Sequence, residues 1–237
     1  MSSPPTRVAL ITGTSRGIGT ALAAGFAADG YAVVGCGRSA RPDVDVAGMD
    51  YRRCDVSDPA AIRDLIAGTV ASHGRLDVLV NNAAVEIEGT VEETTVEQWD
   101  EVLSVNVRAP ALLSCALART HPRGTPGRIV NLISGQFLGP MPGELAYTAS
   151  KGALQAFTVQ LAAEVAPLGI TVNAVGPGPN DTGWMDDALR AELLPRFPMG
   201  RIGRPEDAAA LVAFLCSEEA GWVTGQVVHA EGGFLRG

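Results

Sequence analysis

The sequence predicts an α/β fold, a doubly wound sheet of seven mostly parallel strands with helices on both faces, in a single domain over residues 1–237. Three observations carry this. Short apolar runs rich in β-branched residues alternate with longer Ala- and Leu-rich stretches along the chain, the pattern of repeated strand–helix–strand units. The first apolar run passes directly into a glycine-rich turn and then a helix-forming segment. The composition is 46% apolar and only 5% aromatic, with 28 glycines, which suits closely packed helix and sheet layers and argues against disorder.

Arg7–Thr12 reads as a strand buried on both faces. Gly13-Thr14-Ser15-Arg16-Gly17-Ile18-Gly19 follows and opens a helix to about Asp29. Glycines here let the backbone turn sharply and approach a pyrophosphate, while the helix N-terminus offers N–H donors and a positive dipole end. This is the Rossmann-type phosphate cradle, in the spacing TGxxxGxG.

Tyr31–Cys36 is the second strand and ends in Gly37-Arg38-Ser39. An acid at this tip would bind the ribose 2′-hydroxyl of NAD, whereas an arginine accommodates the 2′-phosphate of NADP. Arg38 is present and no acid is, so the cofactor expected is NADP(H), with Arg16 joining Arg38 on the phosphate. The connection from Arg38 to Met49 is near the minimum for a parallel crossover and should lack a full helix.

Met49–Cys54 is a third strand. Ser57 or Asp58 then caps a helix with Pro59 in its first turn, buried through Ile62, Leu65, Ile66 and Val70 and ended by His73-Gly74. Leu76–Val80 is the fourth strand, and Asn81-Asn82-Ala83-Ala84 at its carboxyl end suits close approach of a ligand. A long helix is expected from Thr95 to about Arg119. Asn106 in its middle is a poor helix-interior residue and should have a specific partner. Gly127–Ile133 is the fifth strand and delivers Ser134, and the helix from about Leu145 to Ala166 bears Tyr147 and Lys151. Ile170–Val175 is the sixth strand, followed by Gly176-Pro177-Gly178-Pro179. Residues 181–200 read as a mobile lid, with Trp184 and Met185 exposed. Pro205–Ser217 is a last helix and Gln226–Ala230 a last strand.

Lys151 is the only lysine in the chain. Its compact ammonium has a pKa that surroundings can tune, which Arg lacks. Tyr147 lies four residues earlier, so both side chains share one helix face. An ammonium beside a phenol favours the phenolate, which makes Tyr147 a candidate general acid/base for a carbonyl or alcohol.

The formal charge of −8 and the lack of a basic run disfavour a nucleic-acid or anionic-membrane partner. Cys36, Cys54, Cys115 and Cys216 are scattered without metal-binding spacing, and His121 and His229 have no partner at such spacing, so no metal site is expected. The cysteines read as small buried residues of a reducing compartment. Residues 1–6 read as a flexible lead-in, not a signal peptide, and no run of 18 apolar residues suggests a membrane span, so the expected location is cytoplasmic.

These motifs together resemble the short-chain dehydrogenase/reductase family over essentially the whole chain: TGxxxGxG at Thr12–Gly19, Asp55-Val56, Asn81-Asn82-Ala83, Asn106, Ser134, the YxxxK pair thirteen residues after Ser134, and PGxxxT at Pro177–Thr182. Arg204-Pro205-Glu206-Asp207 and the Val223–Gly233 tail look most like the 3-oxoacyl-(acyl-carrier-protein) reductase branch. The resemblance implies that Tyr147 protonates a substrate oxygen as hydride arrives. Ser134 would bond the same oxygen. Lys151 would lower the Tyr147 pKa and hold the nicotinamide ribose, and Asn106 would hold a water linking Lys151 to solvent. Gly13, Ser15, Arg16, Gly17, Ile18 and Gly19 would hold the phosphates, Asp55 and Val56 the adenine, and Asn82, Ala83 and Ala84 the adenosine ribose. Pro177, Gly178 and Thr182 would face the nicotinamide amide. It further implies reduction of a ketone or 3-oxoacyl substrate, small or carrier-bound, by a homotetramer. An NAD(P)-dependent alcohol or sugar dehydrogenase and a non-catalytic dinucleotide sensor remain alternatives. Ala84 departs from the family's usual Gly, which puts the turn there in doubt. The substrate pocket expected between Gln136–Gly143 and Asp181–Leu194 carries Phe137, Leu138, Met141, Trp184 and Met185 and suits an apolar or partly aromatic ligand.

Overall fold

The computed structural model describes residues 6–235, so nearly all of the expected lead-in lies outside the described residues. Seven strands, β1 (Val8–Thr12), β2 (Ala32–Gly37), β3 (Met49–Arg53), β4 (Val78–Asn81), β5 (Gly127–Leu132), β6 (Ile170–Gly176) and β7 (Val227–His229), form one sheet in the order β3-β2-β1-β4-β5-β6-β7. Every pairing is parallel, not merely most of them. The order reverses direction between β1 and β4, which opens a crevice at their carboxyl ends.

Helices cover both faces: α1 (Gly17–Ala28), α2 (Pro59–His73), α3 (Val96–Leu103), α4 (Ala109–Thr120), α5 (Leu145–Val165), α6 (Asp187–Leu193) and α7 (Pro205–Cys216). On one face Leu10, Val34, Leu79 and Ile129 pack against α2, α4 and α5 through Ile62, Leu65, Leu113, Leu117 and Leu161. On the other, Ile11, Val33, Val80 and Val130 meet α1 and α7 through Leu22, Phe26, Val212 and Leu215. Strands covered on both sides must be apolar at every position, and β1 is buried throughout. Asp58 caps α2 by accepting from the Ala60 N–H at 2.7 Å, and Gly74 closes it in the left-handed conformation at φ 77°. Residues 38–48 cross from β2 to β3 without a helix, as their length dictates.

The long helix expected from Thr95 is one run from Val96 to Thr120, but a π turn at Ser104–Arg108 joins α3 to α4. By length and composition this run could cross a membrane. Here it lies in the helix layer, with Val102, Leu113 and Leu117 fully buried against the sheet and its neighbours. Residues 181–200 include α6, braced by an Arg190–Asp181 ion pair at 2.6 Å. Trp184 is exposed as expected, but Met185 is not: it is buried, because the Trp184 indole N–H donates to the Asn180 carbonyl at 3.0 Å and turns the chain there. His121 is a buried structural residue, its ring bonded to the Leu76 and Thr125 carbonyls. Cys36, Cys54 and Cys216 are buried free thiols and Cys115 is half-buried.

Candidate active site

A cleft of about 520 Å³ opens at the carboxyl ends of β1, β2 and β4, where the strand order reverses. Gly13, Ser15, Arg16, Gly17, Ile18 and Gly19 form one wall. Arg38, Asp55 and Val56 form the end beyond β2 and β3, and Asn82, Ala83, Ala84 and Thr182 close the other side. Segments distant in sequence thus line one space. A wider groove of about 600 Å³ adjoins it at Arg38 and Asp55, against α3 and the π turn.

The turn is built for close approach. Gly13 has φ 73°, and a Cβ on it would lie 2.9 Å from both the Ala83 Cα and the Asn82 amide nitrogen. A Cβ on Gly19 would overlap the Gly13 carbonyl oxygen. Thr12 Oγ1 accepts from the Asn82 and Ala83 N–H groups at 3.1 and 3.0 Å, and Asn82 Nδ2 donates to the Thr12 and Gly13 carbonyls at 2.8 and 3.0 Å. The turn after β4 is thereby locked to the glycine turn after β1. Such a bare backbone cradle, opening a helix, fits a dinucleotide pyrophosphate. Ala84 causes no strain, since no described residue other than glycine has a positive φ.

At the end of the cleft beyond β2 and β3, burial pulls the Asp55 carboxyl up, but the Ser57 N–H and hydroxyl and the Arg38 guanidinium outweigh it and hold the pKa below the usual value. Two residues here escaped the sequence reading. The Tyr51 hydroxyl lies 3.0 Å from Ser15 Oγ and donates to the Ser39 carbonyl at 3.2 Å, joining β3 to the glycine turn. Asp43, whose N–H donates to the Ser15 carbonyl at 2.9 Å, also lines the cleft. Neither has a local sequence signal.

Ser134 follows β5, and its Oγ accepts from the Gln136 N–H at 3.2 Å, leaving its own proton to donate. Tyr147 lies in the first turn of α5 and Lys151 one turn on. Lys151 is 3% exposed, its Nζ donates to the Leu132 carbonyl at 2.8 Å, and it lies 5.5 Å from the Tyr147 ring centroid. Burial lowers the Lys151 pKa to about 8, against a smaller upward pull from Glu86.

The expected lowering of the Tyr147 pKa is not what the structure gives. Burial, then the Glu86 and Glu144 carboxylates, push that phenol up. The phenol is desolvated and feels Glu144, three residues before it, and Glu86 from the segment after β4, while the Lys151 ammonium bonds the end of β5. Asn106 is fully buried and has the specific partners expected of it. It accepts from the Val85 N–H at 2.9 Å and donates to the Val85 carbonyl at 2.8 Å and Ser150 Oγ at 3.0 Å. Ser150 in turn donates to the Tyr147 carbonyl at 2.6 Å. The π turn therefore ties the segment after β4 to the first turns of α5.

Pro177 and Gly178 follow β6 and do not line the cleft directly. Gly178 (φ 65°) packs on Glu231, and Pro177 presents its carbonyl to Asn180 Nδ2 at 2.6 Å. Thr182 reaches the glycine turn and sits against Gly17. Leu138 and Met141 are exposed, and the Phe137 side chain lies outside what the structure describes. No group of three or more metal-ligating side chains occurs among the described residues.

A family model described as enoyl-(acyl carrier protein) reductase matches residues 13–235. The chain is 43% identical to the uncharacterized oxidoreductase YjdA of Bacillus subtilis (strain 168), with 100% of both chains covered. It is 37% identical to the 3-oxoacyl-(acyl-carrier-protein) reductase FabG of Escherichia coli (strain K12), over 96% of each. Among solved structures, a dehydrogenase/reductase from Sinorhizobium meliloti 1021 superposes with a TM-score of 0.89 at 38% identity, covering 98% of this chain and 96% of that one.

Proposed function

The chain belongs to the short-chain dehydrogenase/reductase family, in its 3-oxoacyl-(acyl-carrier-protein) reductase-like branch, and from this premise we propose that it reduces a ketone or 3-oxoacyl group to the alcohol with NADPH. The observation that carries the proposal is the pairing of a half-buried Tyr147 with a buried Lys151 one turn along α5, whose Nζ bonds the end of β5 two residues before Ser134. The bound dinucleotide would supply hydride. Tyr147 supplies the proton: its raised pKa keeps the phenol protonated near neutrality, the state a proton donor needs. Ser134 donates a hydrogen bond to the same substrate oxygen as charge grows there. Lys151 spends one N–H on Leu132 and has others for the ribose hydroxyls. Asn106 positions the Val85 segment and, through Ser150, the Tyr147 turn.

Support for NADPH over NADH is Arg38 at the tip of β2 with Arg16 beside it on the same cleft. Asp55 and Val56 would take the adenine, and Pro177, Gly178 and Thr182 the nicotinamide side. Residues 181–200 would act as the substrate lid. A homotetramer would cover apolar side chains left exposed on the helix layer, such as Leu112, Val159 and Phe214.

The test is NADPH consumption over a panel of ketones and a 3-oxoacyl thioester. Turnover is expected, and Tyr147→Phe should lower kcat by at least about 100-fold. Dinucleotide binding without turnover on any member would overturn the proposal.

A further inference from the structure

Two cysteines that the reduction chemistry does not use stand together at one end of the dinucleotide cleft. Cys36 is the penultimate residue of β2, and Cys54 follows the last residue of β3. The parallel register sets Cys36 against Arg52, and the Cys54 N–H donates to the Gly37 carbonyl at 2.8 Å. Cys54 therefore lies diagonally across the strand pair from Cys36. Both belong to the apolar cluster on the α2, α4 and α5 side, so their side chains share one face of the sheet. Both are free thiols, 0% and 4% exposed, and both residues line the cleft. The Cys36 thiol donates a hydrogen bond to the Cys54 sulfur. Asp55 and Val56 come next in the chain and line the same end of the cleft.

Thiols meet oxidants as thiolates. The hydrogen bond from Cys36 pulls the Cys54 pKa down, outweighing burial and the carboxylates of Asp55, Asp58 and Asp64. The same bond, with full burial, pushes the Cys36 thiol well up, so Cys36 keeps its proton. One sulfur is the nucleophile and the other stands in contact to resolve it. We propose that Cys36 and Cys54 form a hydroperoxide-reactive dithiol, and that its closure to a disulfide displaces Asp55 and Val56 and weakens dinucleotide binding. The Cys54 thiolate attacks one oxygen of the peroxide and the O–O bond breaks. Cys54 becomes a sulfenic acid, and the other oxygen leaves as hydroxide and is protonated to water. The Cys36 sulfur then attacks the Cys54 sulfur, the S–O bond breaks, and the hydroxyl leaves as a second water with the Cys36 proton. The two thiols lose two electrons and hydrogen peroxide gains them. Diagonal neighbours on adjacent strands lie roughly 7–8 Å apart, whereas a disulfide holds its Cα atoms about 4.4–6.8 Å apart. Closure must therefore draw one strand end toward the other. β3 is the edge strand, paired only with β2, so it yields and Asp55 moves with Cys54. A dinucleotide resting on Asp55 opposes that movement, and by linkage the disulfide opposes the dinucleotide equally. The thiol chemistry stands apart from carbonyl reduction, and only the dinucleotide's place at Asp55 rests on the reading above.

The experiment treats the reduced, intact chain with hydrogen peroxide, with and without NADPH, and maps its peptides by mass spectrometry. The expected product is a Cys36–Cys54 cross-linked peptide pair, lighter by two hydrogens and reopened by dithiothreitol. The oxidised protein should bind NADPH roughly 5- to 150-fold more weakly in a fluorescence titration, the usual span of a coupling between two sites. Saturating NADPH should slow the cross-link. Cys36→Ala lacks the resolving sulfur and should instead carry a sulfenic acid on Cys54 that dimedone traps. A wild type without the cross-link, or a cross-linked protein that binds NADPH as tightly as the reduced one, overturns the inference. A second measurement needs no cofactor. Amide hydrogen exchange over residues 49–56 should quicken on oxidation as the Cys54 bond to Gly37 yields, while residues 127–132 of β5 stay unchanged. Quickened exchange in a protein that binds no dinucleotide in either state would refute the reductase reading while upholding the dithiol. Exchange indifferent to the cross-link refutes the displacement itself.

Discussion

Lys151 Nζ donates a 2.8 Å hydrogen bond to the carbonyl oxygen of Leu132, joining α5 to the last residue of β5. The bond aims a single buried ammonium at the seam where Ser134 and Tyr147 also emerge. A guanidinium is longer, planar and does not titrate, so it cannot occupy this place in the same way. Lys151→Arg should lower kcat at least about 100-fold while the far-ultraviolet circular dichroism remains that of the wild type. Near-wild-type turnover would remove Lys151 from the mechanism.

The same burial has a pH consequence. The Lys151 pKa is 10.5 in an unfolded chain and about 8 in the native one. Between those values the unfolded chain binds the proton that the native protein has released, so this group's contribution to stability rises with pH across the window. Below pH about 8 the full cost of the buried charge is felt. Tyr147, with its pKa raised from 10.0, acts in the opposite sense only above that value. Urea unfolding of the wild type and Lys151→Met, compared at pH about 7 and about 9.5, should show the upward slope for the wild type alone.

Local pattern reveals most of the fold. Every strand except β3, whose Met49-Asp50-Tyr51-Arg52-Arg53 is mostly polar, is visible as an apolar run, and the glycine turn, the cap at Asp58 and the Tyr147–Lys151 spacing are readable because the residues concerned are neighbours on one element. What escapes is non-local. Glu86 and Glu144 meet only because Gly89 bridges to Gly143, and no spacing foretells that. The direction of the Tyr147 pKa is set first by its burial and then by those two acids, neither of which helix spacing reveals, so the spacing alone points the wrong way. The π turn is half legible. An asparagine inside a helix signals a special partner, but inserting one residue into a turn barely disturbs a 3.6-residue apolar pattern.

Gly19→Ala should abolish dinucleotide binding. A Cβ there would overlap the Gly13 carbonyl oxygen and crowd Asn82 Nδ2, and both are backbone or locked groups that cannot step aside. Overpacking usually costs about 1–3 kcal/mol, and here the cost falls on the turn that must also hold a pyrophosphate. The expected outcome is a lowered Tm with no NADPH-induced rise, against a clear rise in the wild type.

Arg38→Asp should invert the cofactor preference. Arg38 is exposed at the cleft's end, so the substitution chiefly removes the attraction between its guanidinium and a 2′-phosphate, and NADPH Kd should weaken by about tenfold or more. NADH should be unaffected or improve, since an acid there can take a ribose hydroxyl. Asp43→Asn removes a negative charge from the same cleft and should tighten NADPH. Equal affinities for the two cofactors in the wild type, by fluorescence titration, would refute the assignment.

Asn106→Asp is the sharpest test of the π turn, because it changes one atom's hydrogen-bonding sense and almost no volume. The amide nitrogen of Asn106 donates to the Val85 carbonyl and to Ser150 Oγ. An ionised carboxylate there would face the Val85 carbonyl, acceptor to acceptor, in a fully buried position. The cost should be about 2–5 kcal/mol in urea unfolding, with a loss of turnover as Val85 and the Glu86 segment are released. A buried Asp has its pKa raised, so the native state retains a proton that the unfolded chain has already released. The deficit against the wild type should therefore grow as pH rises through the carboxylate range and shrink on acidification, when the protonated carboxyl can again donate to Val85. A deficit independent of pH would mean that Asn106 merely fills space, and that the Val85 bonds do not hold the site together.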